Sequence, residues 1–135
     1  MDYWLIAFLS GSAFDVLTTY CGLFLLPPKL AVTEGNPLYK DAREHFATQM
    51  LGKMVLSILI GLSMSSSGSL FGMRWITYIM WLVVLNNLYV FLSRKISGKR
   101  LTTPIGFIYQ YVPMPIAFLT FIGVLFGIGY LLAMI

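Results

Sequence analysis

The sequence predicts an all-α integral membrane protein, a four-helix transmembrane bundle forming a single domain over residues 1–135. Three observations predict it. Hydrophobic residues make up 59% of the chain and charged ones only 10%, where ordinary soluble domains carry about 25% charge. The apolar runs are continuous and long enough to cross a bilayer. The strict alternation expected of barrel strands is absent. A water-soluble domain of this length cannot hide so much apolar surface. The net charge of +4 is read as loop topology and not as affinity for nucleic acid. Cys21 is the one cysteine, so no intrachain disulfide is possible.

The first span is expected over residues 4–26. Tyr3 and Trp4 suit an interface at its start, and Pro27-Pro28 stops it by removing a donor and restricting the residue before. A signal-peptide reading fails, because Met1-Asp2 lacks a basic residue and Asp15 sits mid-stretch. Residues 28–46 form a polar loop in which Gly35-Asn36-Pro37 signals a turn. Asn36 is a candidate helix cap, with Pro37 near a first turn. The second span is expected over 47–64, with Gln49, Lys53, Ser57 and Gly61 four residues apart on one face. Ser65-Ser66-Ser67-Gly68-Ser69 reads as a flexible turn. The third span is expected over 73–92, with Tyr78, Leu82, Asn86 and Tyr89 sharing a face. Residues 93–104 hold Arg94, Lys95, Lys99 and Arg100 and no acid. The fourth apolar segment covers 106–134. Pro113 and Pro115 should kink or break it, leaving 116–134 as the span proper. Gly123 and Gly127 make a G-x-x-x-G pair suited to close helix packing.

Orientation follows from the basic residues. The loops 28–46 and 93–104 hold Lys29, Lys40, Arg43, Arg94, Lys95, Lys99 and Arg100, whereas the opposite side holds Arg74. The positive-inside rule puts both loops in the cytoplasm and both termini outside, in a multi-pass protein of the plasma membrane.

Two charges lie within spans, Asp15 and Lys53. A carboxylate near the bilayer centre costs about 2.5–3.5 kcal/mol on insertion scales. Such a group faces inward and marks a functional site by default. Gly11, Ser12, Thr18, Thr19 and Gly22 share its helical stripe. Asp15 is expected about 16 Å, and Lys53 about 9 Å, from the cytoplasmic ends of their helices, a gap that a lysine stem spans. The two residues can therefore meet, with Glu34 and Asn36 above them if the loop folds inward. The pair can equally serve only to fix helix register, or Lys53 can snorkel to the headgroups. Thr18 and Thr19 can bond back to their own helix, and Glu34-x-Asn36-Pro37 can be a simple capped turn.

Asp41, Glu44 and His45 stand at helical spacing, a weak metal pattern with only one histidine in the chain. A solvated loop is the better reading, so no metal and no cofactor are expected. No G-x-S-x-G, H-E-x-x-H or P-loop pattern occurs, which argues against an enzyme.

Asp15-x-x-Thr18-Thr19, then Glu34-Gly35-Asn36-Pro37-Leu38, then Lys53 resembles a family of small uncharacterised four-helix membrane proteins of archaea and bacteria. The resemblance covers residues 8–90. It implies that Asp15, Thr18, Thr19, Glu34, Asn36, Pro37, Lys53 and Asn86 form one constellation, and it leaves Pro113-x-Pro115 outside the pattern. Two function classes are expected. One is a non-catalytic accessory or scaffold subunit that meets a membrane-protein partner, or a second copy, through the fourth helix. The other is a small transporter or ion-handling protein using Asp15, Glu34 and Lys53. The lipid bilayer is a partner in both; nucleic acid is a partner in neither.

Overall fold

The computed structural model describes residues 2–27, 29–30, 44–98 and 113–135. Four helices carry the described chain, and no strand occurs among these residues: α1 (Asp2–Phe24), α2 (Phe46–Ser66), α3 (Leu70–Ser97) and α4 (Met114–Met134). Each is long and apolar enough to cross a membrane. The chain is all-α, as its composition predicts.

The helix ends have local causes. Leu25 still donates to the Cys21 carbonyl at 3.1 Å, and then Pro27 ends the α1 pattern, with Leu30 donating to the Pro27 carbonyl at 2.8 Å. The serine-rich link is tight and not a loose tether. Helix α2 runs to Ser66, Gly68 takes φ +70°, and the Ser69 hydroxyl caps α3 by accepting from Gly72 N–H at 3.0 Å. Helix α3 continues through residues 93–97, past the expected end of its span, and stops at Gly98 with φ +63°. Pro113 caps α4 and Pro115 lies in its first turn, where a missing N–H costs no helix bond.

Helices α1 and α3 run parallel and form the main contact. The Thr77 hydroxyl donates to the Trp4 carbonyl (3.2 Å) and Trp81 Nε1 to the Ala7 carbonyl (3.0 Å). Arg94 Nη1 donates to the Leu30 carbonyl (3.1 Å) just beyond α1. The inward positions of α3 recur at alternating steps of four and three: Met73, Thr77, Met80, Val84, Asn87, Phe91 and Arg94. In α1 they are Phe8, Gly11, Asp15, Thr18 and Gly22. That is the heptad period of a coiled-coil seam. Gly11 lets the two backbones approach, since a methyl group there would sit 2.9 Å from Met80 Cγ.

Helix α2 is antiparallel to α1 and packs on it. Met50 and Leu23 are buried together, and Phe46 meets Phe24 edge-on at 5.4 Å. Helix α4 is antiparallel to α3. Trp75 Nε1 donates to the Phe126 carbonyl at 3.0 Å, and Phe71 and Tyr130 pack edge-to-face at 5.3 Å. The order across the molecule is therefore α2–α1–α3–α4, and α2 touches α3 only narrowly.

Among the described residues, Gly123 and Gly127 are exposed and an added methyl group meets nothing within 4 Å, so the G-x-x-x-G pair makes no contact with them. The glycine that α3 covers is Gly129, where a methyl group would lie 2.7 Å from Ile79 Cγ1. The spacing of two glycines identifies a smooth helix face but not the neighbour that the face receives.

Candidate functional site

Three helices contribute polar side chains to a single cluster. Asp15 is buried on the inner stripe of α1. Lys53 Nζ of α2 lies 3.7 Å from its Oδ2 oxygen. Asn87 Nδ2 of α3 donates to its Oδ1 oxygen at 2.8 Å. The same amide lies 3.5 Å from the Thr18 hydroxyl oxygen. Thr18 in turn donates to backbone carbonyls one turn earlier, Phe14 at 2.9 Å and Asp15 at 3.1 Å. A helix rises 1.5 Å per residue, so the three side chains lie about 10–15 Å from the ends of their helices. All three helix ends are on the same side of the bundle.

The chemistry is that of an ion pair with a hydrogen-bonded third member: the Lys53 ammonium offsets charge on the carboxylate, and the Asn87 amide replaces a water that hydrocarbon cannot supply. An interhelical hydrogen bond of this kind contributes roughly 0.6–2 kcal/mol in a membrane. Its second effect is positional: a polar residue in an apolar seam fixes which turns of two helices face each other.

The anticipated residues separate clearly. Asp15, Thr18 and Lys53 come together, and Thr19 is half-buried beside them on α1. Asn87, and not Asn86, is the α3 partner. The two differ by about 100° around the helix; of the anticipated stripe, Tyr78 packs edge-on against Trp4 of α1 at 5.7 Å, whereas Tyr89 is exposed. The Met73-to-Arg94 heptad carries the phase that identifies Asn87. On α2 the anticipated face is the inward one: Ser57 and Gly61 are buried, and a methyl group on Gly61 would meet Leu5 and Phe8 at 3.0 Å. Glu34, Asn36, Pro37 and Asp41 lie outside the described residues. Glu44 and His45 are exposed just before α2, and no group of three metal-ligating side chains occurs among the described residues.

Beside the cluster, the narrow α2–α3 contact leaves a groove of about 280 Å³. Its floor is α1, its walls are α2 and α3, and Phe126 of α4 lies on its rim. Lys53, Asp15 and Ser57 bring polar atoms to a lining that is otherwise apolar.

Comparison with known protein families, characterised proteins and solved structures returns no match. The functional reading therefore rests on the residues themselves.

Proposed function

We propose that this chain is a small multi-pass protein of the plasma membrane that serves as a non-catalytic subunit or scaffold in a larger membrane assembly. In this reading the connections after α1 and α3 face the cytoplasm and both termini face outward. The basic residues support that orientation: Lys29, Lys40, Arg43, Arg94, Lys95, Lys99 and Arg100 flank one side, and Arg74 the other. The observation that carries the subunit reading is a face of α4 that no described residue covers. Gly123 and Gly127 form a smooth, exposed strip on the helix furthest from the polar cluster. Small residues let a partner helix approach closely in lipid, where packing drives association. The Asp15–Lys53–Asn87 cluster then serves as an internal lock that holds α1, α2 and α3 in register.

The test is purification in mild detergent followed by mass determination of the intact assembly. A defined larger complex, lost with Gly123→Leu or Gly127→Leu, supports the reading. A clean monomer from source membranes overturns it.

The groove favours a second reading, an ion- or proton-handling protein, because Asp15 and Lys53 line a recess and are not sealed from it. Flux in proteoliposomes that disappears with Asp15→Asn, the fold being retained, would establish that role. Flux that is absent, or indifferent to the substitution, removes it.

A further inference from the structure

The net charge of the chain is concentrated at one end of the bundle, where α1 and α3 finish. We propose that this end, through Lys29 and Lys95, binds the phosphate of an anionic phospholipid headgroup.

Charge is the first support. The connections 28–46 and 93–104 both start at this end. Their charges sum to +4, the net charge of the whole chain, once Glu34, Asp41 and Glu44 are set against the basic residues. Basic residues clustered next to a membrane span attract anionic lipid. Two of the lysines are brought to one contact. The Arg94 guanidinium donates to the Leu30 carbonyl at 3.1 Å, and Leu26, Leu30 and Phe91 are buried together. The turn that bears Lys29 is thereby tied to the end of α3. Lys95 Nζ lies 5.6 Å from the centre of the Phe91 ring. Both lysines are exposed.

Depth is the second. Helix α3 has 28 residues and α2 has 21. The tight turn at Ser67-Gly68-Ser69 sets them level at the opposite end. The extra length of α3, roughly 10 Å, therefore projects at the Lys95 end. At about 42 Å, α3 outruns a hydrocarbon core of about 30 Å and reaches the headgroup layer. The neighbouring surface is the third. Leu92 and Ile96, one turn apart beside Lys95, are 42% and 84% exposed. The last turn of α3 thus offers an apolar strip for an acyl chain next to a cation for its phosphate. A partner on the Gly123–Gly127 strip would not alter this end, because that strip is on α4.

The test places the full chain in nanodiscs of phosphatidylglycerol and phosphatidylcholine in equal amounts. One lipid or the other carries a diazirine next to its headgroup, and the photolabel is mapped by peptide mass. Phosphatidylglycerol should label residues 92–97 about tenfold more than phosphatidylcholine does, and high salt should bring the two toward parity. Lys95→Gln should lower that ratio about fivefold, equivalent to about 1 kcal/mol for one basic residue at an anionic surface, and Lys29→Gln should act in the same direction. Lys95→Arg should retain the ratio, and Arg74→Gln, at the other end of the bundle, should leave it unchanged. Equal labelling by the two lipids would overturn the proposal, as would an enrichment that survives Lys29→Gln and Lys95→Gln together. Soluble polyglutamate that abolishes the enrichment at equal charge concentration would assign this end to an acidic protein segment and overturn the lipid.

Discussion

Asp15 and Asn87 face each other across two parallel helices, 72 residues apart in the chain and 2.8 Å apart in space. The amide occupies a seam position of α3 and the carboxylate a seam position of α1. Each would be a liability alone in hydrocarbon; together they align the two longest-packed helices.

Replacing Asn87 with leucine should destabilise the bundle by about 1 kcal/mol, within the measured span for interhelical hydrogen bonds in membranes. Asn86→Leu, one position along and about 100° round the helix from the Asp15 contact, should cost less than about 0.5 kcal/mol. Unfolding of both variants in mixed micelles gives the comparison. Equal costs would remove Asn87 from its place at the seam.

Asp15 and Lys53 should be coupled. Removing one partner takes an opposite charge away from the other, and breaking a fully buried pair in this way costs about 3–5 kcal/mol. Here the side chains retain 11% and 17% exposure at a 3.7 Å separation, so about 2 kcal/mol is expected for Asp15→Asn or Lys53→Met. The double variant should cost less than the sum of the two. Simple additivity in that cycle would mean that the charges do not depend on each other.

The glycines should sort by face. Gly11→Leu and Gly129→Leu drive side chains into Met80 and Ile79 and should lower stability by about 1–3 kcal/mol, the usual cost of overpacking. Gly123→Leu and Gly127→Leu have open space and should leave the isolated chain within about 0.5 kcal/mol of the parent. Thermal unfolding of the four variants side by side is sufficient.

Arg94 should hold down the segment that leaves α1. It is buried, and its guanidinium reaches the Leu30 carbonyl. Arg94→Ala should cost about 1–3 kcal/mol, as expected when a charged hydrogen bond to a buried carbonyl is lost. Amide exchange near residues 25–30 should quicken more than exchange in α4.

The legible part of this structure was the part that carried charge. Asp15 and Lys53 stand out because charge inside an apolar run has few explanations, and their depths can be counted from the helix ends. The stripe of α3 was harder. That helix carries large apolar residues on every side, and Tyr78, Asn86 and Tyr89 suggest a stripe about 100° round from the seam that holds Asn87. Ending the span at Leu92 also excluded Arg94, the residue that shows where the seam continues. The α4 glycines are a different case: Gly123 and Gly127 make the more familiar motif, yet among the described residues it is Gly129 that packs within the chain, against Ile79.

The arrangement also dictates an order of events during synthesis. Asp15 enters the membrane in the first helix, while its ammonium partner lies 38 residues further along (53 − 15) and its amide partner 72. At 5–20 residues per second the ribosome needs roughly 2–8 s to supply Lys53. During that interval the nascent α1 carries a carboxylate without the Lys53 and Asn87 side chains beside it, so its release into lipid should wait on α2. The two helices should then leave the insertion machinery together, with α3 joining afterwards. A ribosome stalled between the first and second helices would hold α1 at the water-filled channel, and one stalled after the second would not.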